Sequence, residues 1–197
     1  MKNKKLITAG VDEVGRGCLA GPVVSAAVIL KKGVLFKNLK DSKKLTFEQR
    51  IKVSKDIKKN SFFSIVVASV KEIEKLNILQ ASLLSMKRAI MSLSKKPDLI
   101  LVDGIFAPRV SSKCKTIIKG DEKIACIAAA SIVAKATRDL FMIKLSKKYP
   151  KYRWNKNFGY GTAEHLRGLK KYGVTKHHRK KFKPIHKILM LSTRETL

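Results

Sequence analysis

The chain has 197 residues, 45% of them hydrophobic, and a formal net charge of +30 from 44 Lys and Arg against 14 Asp and Glu. The apolar share excludes a disordered tail and suffices for one buried core without staples. The charge excludes an acidic surface and points to a polyanionic partner, nucleic acid or an anionic membrane face. Lysine far outnumbers arginine and is spread over almost every segment, a pattern that compositional drift would also produce.

In chain order, "LITAGVDEV" reads as a strand ending near Gly15. "GPVVSAAVIL" reads as a second strand, and the short connection suits an antiparallel hairpin. "LKDSKKL" is a polar loop, after which Thr46 with Gln49 three residues on forms a capping box for a helix of about three turns. "SFFSIVVASV" is a third strand. From Asn77 to about Leu93 the apolar residues recur at helical spacing, and Leu79, Leu83, Met86, Ile90 and Leu93, flanked by Leu84 and Ala89, form the expected buried stripe. "DLILVDG" and "CKTIIKG" supply two more strands. "KIACIAAASIVAKATRDLFMIKL" is a long helix, small and apolar on nearly all sides in its first half, as expected of a helix sandwiched in the core. After Pro150 the chain turns aromatic, glycine-bearing and basic. These elements predict an α/β protein: a mixed sheet flanked by helices over residues 1–145, and a basic helical extension over 146–197.

The N-terminal apolar run breaks at Asp12, so no signal peptide is expected, and no apolar stretch approaches the roughly 18 residues of a membrane span. Cys18, Cys114 and Cys126 follow no metal-ligand spacing, and an odd number cannot all pair, which fits free thiols in a reducing compartment. The expected location is the cytoplasm and the expected state a monomer.

Against so basic a background the acids are informative. Asp12 and Glu13 stand together in the first strand, Asp103 follows "LILV", and Asp121 precedes the long helix. Adjacent residues of a strand face opposite sides, so one of the first two would enter the core unless the strand ends there or a cation compensates. Carboxylates converging from neighbouring strand ends suit Mg²⁺ or Mn²⁺, and a pair of such ions can drive phosphodiester hydrolysis. Plainer readings stand beside these: Asp103–Gly104 is also a hairpin signal, and Asp121 could cap the following helix. Gly15–Arg16–Gly17 could bring backbone N–H groups close to a ligand or form a plain turn.

The stretches "AGVDEVGRGCLAGPVVSAAVIL", "LKDSKKL", "NILQASLLSMKRAI", "LILVDG", "IIKGDEKIACIAAASIVAKATRD" and "GYGTAEHL" occur in family order and together resemble ribonuclease HII, the bacterial type 2 ribonuclease H. The resemblance implies a ribonuclease H-like fold with a C-terminal helical extension. It implies hydrolysis of the RNA strand of RNA–DNA hybrids and nicking 5′ to ribonucleotides embedded in duplex DNA, with Mg²⁺ or Mn²⁺. By matching motif it assigns Asp12, Glu13, Asp103 and Asp121 as metal ligands, Gly15, Arg16 and Gly17 to the 2′-hydroxyl side of the RNA–DNA junction, and Tyr160 to the junction sugar. Lys43 and Lys44 are expected to meet phosphates, with a solvated loop as the alternative, and "TKHHRKKFKP" is expected to add phosphate affinity. Phe158 departs from the family pattern, which puts a lysine or another polar residue there. A non-catalytic nucleic-acid binder and another two-metal phosphoryl transferase are the competing readings. The binder has no need of four acids, and the transferase has no need to sense a 2′-hydroxyl.

Overall fold

The computed structural model describes residues 6–31, 39 and 45–194. Lys43 and Lys44 lie outside the described residues. Five strands form one sheet: β1 (Thr8–Val14), β2 (Val23–Leu30), β3 (Ser61–Ala68), β4 (Leu99–Asp103) and β5 (Lys113–Ile117). The order is β3-β2-β1-β4-β5. β1, β2 and β3 pair antiparallel, while β1–β4 and β4–β5 pair parallel. The sheet is therefore mixed and begins with the expected hairpin. The parallel pairing of β4 with β5 closes the hairpin reading of Asp103–Gly104.

Helices cover both faces. α1 (Phe47–Lys59) opens on the expected capping box: the Gln49 N–H donates to Thr46 Oγ1 at 3.2 Å and the Thr46 N–H to Gln49 Oε1 at 2.9 Å. α2 (Val70–Leu76) leads into α3 (Ile78–Met91), and after β5 a single turn, α4 (Gly120–Lys123), precedes the long α5 (Ala125–Lys148). α5 lies between the sheet and α1, and its alanines 128, 129, 130, 134 and 136 are buried. Gly10 marks how close it comes: a Cβ there would sit 2.1 Å from the Cys126 carbonyl carbon.

α3 covers the opposite face. Its buried residues are Ala81, Ser82, Ser85, Met86, Ala89 and Ile90. Leu79, Leu83, Leu84 and Leu93 are only partly buried. The small residues let the helix axis approach β2, where the hydroxyls of Ser25 and Ser85 share a 2.5 Å hydrogen bond. Met86, Ala89 and Ile90 are buried as expected and Leu83 and Leu93 pack against the same cluster; spacing of large apolar residues left out Ala81, Ser82 and Ser85, which fill the narrow contact.

α5 runs unbroken across residue 145, and α6 (Trp154–Asn157), α7 (Ala163–Tyr172) and α8 (Lys183–Arg194) follow. This extension has its own core around Trp154, Tyr152, Leu169 and Ile185, joined to Leu19, Ala20 and Met142. Within it Trp154 Nε1 donates to His165 Nε2 at 3.0 Å, so that nitrogen accepts. His178 Nε2, 3.1 Å away, must then donate, and its Nδ1 accepts the Thr175 N–H at 2.9 Å. His165 Nδ1 is left to donate to the Tyr160 carbonyl at 2.9 Å. Both rings are thus neutral. In "TKHHRKKFKP", His178 and Arg179 are almost wholly buried and cannot meet phosphate, which corrects the expectation for those two residues; Lys176, Lys180, Lys181 and Lys183 remain exposed.

Two outcomes follow. Gly10→Ala should overpack the β1–α5 contact by about 3 kcal/mol, lowering the melting temperature by roughly 6–12 °C in a scanning calorimeter; an unchanged value would contradict the contact. Burial, then the neighbouring His165 and His177, pushes the His178 pKa down to about 3. Protonation therefore favours the unfolded chain. Stability should be full above the ordinary imidazole value and fall as pH drops from about 6.5, and urea midpoints should decline less steeply in His178→Asn.

Candidate active site

β1 runs between β2 and β4, and its parallel pairing with β4 ends at Val11 opposite Val102. The C-terminal ends of the two strands therefore emerge side by side, carrying Asp12 and Glu13 on one and Asp103 on the other. The pleat sends the adjacent acids to opposite faces. Asp12 follows Gly10 toward α5, where the Ser131 hydroxyl donates to its carboxylate. Glu13 follows Val11 toward α3, into a cleft of about 80 Å³ that it lines with Arg16, Asp103, Leu83 and Phe106. The strand does not end before these acids, so Asp12 is held in the interior with only 6% of its surface exposed.

That burial is costly for a charge. Burial foremost, then the negative Glu13 and Asp103, holds the Asp12 carboxyl well above the usual carboxylate range; the Ser131 hydroxyl and the Glu13 N–H, 2.7 Å from Asp12 Oδ1, oppose the rise. Glu13 is also raised by burial, against the pull of the Arg16 guanidinium at 3.1 Å. Asp103 Oδ1 accepts the Gly120 N–H at 2.7 Å, which pins the α4 turn over the end of β4.

Asp121, the next residue in that turn, is buried. It does not cap α5, whose N-cap is Ile124 without a side-chain bond. Asp12, Glu13 and Asp103 are in electrostatic contact, and Asp121 stands on the adjoining turn.

The donor set is all oxygen and mutually repulsive, which fits a hard divalent cation and no soft one. Among the described residues, no three His, Cys, Asp or Glu side chains already stand in metal-binding geometry. Arg16 engages Glu13 Oε1 and the Gly120 N–H engages Asp103 Oδ1, which orients both carboxylates, and each has a second oxygen with which to meet an ion.

Glu13 also borders a second cleft of about 320 Å³, lined with Val14, Arg50, Ser131, Lys135 and Tyr160. Tyr160, expected at the sugar, is thus brought to the same cleft as Glu13, and the residue is 40% exposed. Phe158 takes a left-handed conformation (φ 49°) and stacks on Phe47 with centroids 6.4 Å apart. Lys135 Nζ lies 4.9 Å from the Phe158 centroid and 5.8 Å from that of Tyr160, so a cation reaches this loop from α5 although position 158 is apolar. Arg16 is exposed and Gly17 opens to free space, with nothing within 4 Å of where a Cβ would stand. Gly17 is therefore no packing requirement.

Sequence reasoning missed the cations around this cleft. Asp139, fully buried, pairs with Lys135 at 2.8 Å and Arg50 at 3.3 Å. The Lys135–Asp139 spacing of four on a helix was the available signal; the contact with Arg50, 89 residues away, had none. A groove of about 700 Å³ beside Lys87, Met91 and Arg109 contains none of the acids.

The ribonuclease HII family model matches residues 9–186. Ribonuclease HII of Pelagibacter ubique is 56% identical over 184 residues, 93% of this chain and 99% of that one. Among solved structures, ribonuclease H2 from Pyrococcus horikoshii superposes with a TM-score of 0.80 at 27% identity, covering 95% of this chain and 99% of that one. Bst-RNase HIII in complex with Mn²⁺ shares the fold, with a TM-score of 0.79 at 19% identity over 98% of this chain and 72% of its own. Acids at paired strand ends, a glycine turn beside them and a match spanning nearly the whole chain lead to one conclusion: this chain belongs to the ribonuclease HII family and is a ribonuclease H, an endoribonuclease that hydrolyses phosphodiester bonds.

Proposed function

We propose that this ribonuclease hydrolyses the RNA strand of RNA–DNA hybrids and nicks 5′ to ribonucleotides embedded in duplex DNA, leaving a 3′-hydroxyl and a 5′-phosphate. The observation that carries the reading is the crowding of Asp12, Glu13 and Asp103 at the ends of β1 and β4, a concentration of negative charge that repels phosphate until a cation offsets it. Asp12, Glu13, Asp103 and Asp121 would hold two Mg²⁺ or Mn²⁺ ions. Such ions, when bound, activate a water and stabilise the leaving oxygen of an in-line displacement.

The protein's own groups do the rest. Asp12 and Asp103 would be the central ligands, and Glu13 and Asp121 would complete the two sites. Gly15, Arg16 and Gly17 present main-chain groups to the 2′-hydroxyl, which both donates and accepts hydrogen bonds and separates RNA from DNA. Tyr160 offers a flat ring to the junction sugar across the cleft from Glu13. Lys43, Lys44 and the exposed lysines of the extension bind phosphates, which positions the duplex and makes affinity fall with salt. We assign residues 1–145 as the catalytic body and 146–197 as an extension that completes its substrate surface. The setting is the cytoplasm, acting as a monomer in the removal of ribonucleotides from DNA.

The test offers the protein a duplex with one ribonucleotide and its all-DNA counterpart. With Mg²⁺ or Mn²⁺ the first should be nicked on the 5′ side of the ribonucleotide and the second left intact, and EDTA should stop the reaction. Cutting of both duplexes, or turnover in EDTA, would contradict the assignment. Asp12→Asn should lower cleavage by at least about a hundredfold while leaving duplex binding near the wild-type level. The folded-state pKa of Asp12 is raised, so its contribution to stability is full below the ordinary carboxylate value and lost as pH rises through the raised one. The metal-free Asp12→Asn protein should accordingly melt above the wild type at pH 7, and added Mg²⁺ should raise its melting temperature less.

A further inference from the structure

Arg179 sits in the most basic run of the chain, yet its surface exposure is 0%. A buried guanidinium normally has a carboxylate partner, because desolvating a charge is expensive. The hydrogen bonds of Arg179 go instead to main-chain carbonyls. Its Nε donates to Gly21 O at 3.0 Å, Nη1 to Arg16 O at 2.7 Å, and Nη2 to Gly15 O at 2.7 Å and Gly21 O at 2.9 Å. Burial, the largest influence, lowers its pKa to about 10, so it stays charged at neutral pH.

Arg138 of α5, also fully buried, approaches the same segment from another side. It donates to Pro22 O at 2.9 Å, Ala20 O at 3.0 Å and Phe158 O at 2.8 Å. Gly15 has φ +95°, and a Cβ on it would stand 2.1 Å from Arg138 Nε. Two cations thus grip residues 15–22 through carbonyls alone.

Docking the extension does not require this. Main-chain bonds already join the two parts: Arg179 N–H to Leu19 O at 2.9 Å, Gly21 N–H to His177 O at 2.9 Å and Leu19 N–H to Gly159 O at 2.8 Å. What the guanidinium adds is an orientation. In a trans peptide the C=O and the following N–H point in opposite directions. With the carbonyls of Gly15 and Arg16 turned toward Arg179, the N–H groups of Arg16 and Gly17 are turned away from it, and both residues are exposed, with open space where a Cβ on Gly17 would stand.

We propose that Arg179 is a positioning residue for RNA recognition: its guanidinium, set in the C-terminal extension, fixes the peptide planes of Gly15–Gly17 so that their N–H groups face the substrate 2′-hydroxyl. The inference rests on the reading that this turn senses that hydroxyl. It makes discrimination between RNA and DNA a joint property of the two ends of the chain.

The experiment measures binding of the full chain, with Ca²⁺ replacing Mg²⁺ to prevent cleavage, to a duplex with one ribonucleotide and to the all-DNA duplex. The wild type should prefer the first. In Arg179→Lys, which keeps the charge but lacks the planar fork, the preference should fall at least about tenfold, the size expected for losing one or two hydrogen bonds. Affinity for all-DNA duplex should stay within about twofold, because no phosphate contact is removed. Arg179→Ala, measured in methylguanidinium, should regain both fold and preference, while methylammonium at equal ionic strength should restore neither. A folded Arg179→Lys that keeps the full preference, or weakens both duplexes equally, would overturn the proposal. So would Arg179→Ala regaining its fold in methylguanidinium without the preference. A wild type with no preference at all would instead remove the 2′-hydroxyl reading on which the proposal stands.

Discussion

Negative charge forced together at the end of two parallel strands is the constraint on which this molecule turns. β1 is central to the sheet, so its side chains near the carboxyl end have little water to face, and one of its two adjacent acids must point inward. Asp12 does so, against α5, with a serine hydroxyl and one backbone N–H as its hydrogen-bond donors. Glu13 and Asp103 add repulsion instead of relief. A chain selected for stability alone would place apolar residues here, since buried like charges raise the free energy of the fold. The arrangement makes sense as a site whose deficit is met by divalent cations, with Arg16 and the Gly120 N–H each orienting one carboxylate through a single oxygen.

The second constraint is the shape of the turn beside those acids. Residues 15–22 pass through two left-handed glycines and are held by cations from α5 and from the extension, with no carboxylate between them. The extension is itself fixed by an aromatic and imidazole cluster in which neutral His165 and His178 relay hydrogen bonds from Trp154 to the carbonyl of Tyr160. One set of contacts thus shapes the turn that follows Glu13, the other the loop that brings Tyr160 to the cleft Glu13 borders. The basic surface gives affinity, while these buried polar contacts give geometry.

Most of this architecture was legible in the sequence because it is local. Alternating and continuous apolar runs located all five strands, Thr46 and Gln49 announced α1, and the alanine-rich run announced a helix packed closely on both sides. The acids stood out because the chain is otherwise so basic. The stripe of α3 was legible at Met86, Ala89 and Ile90, but not at Ala81, Ser82 and Ser85, whose small or polar side chains carry little hydrophobic signal although they make the close contact with the sheet. Arg138 and Arg179 were invisible as internal residues. Apart from the Phe158 carbonyl, their partners are backbone carbonyls more than a hundred positions away, and nothing in a run of lysines and arginines distinguishes the one that turns inward.

Crystals soaked in Mn²⁺ and measured at the manganese edge test the role of the acids most directly. Anomalous peaks should appear about 2.0–2.3 Å from carboxylate oxygens of Asp12, Asp103 and their neighbours, and a second ion, when substrate is present, about 3.5–4 Å from the first. Strong peaks confined to other surfaces, with none between β1 and β4 at saturating manganese, would show that these buried acids serve some purpose other than holding the metal.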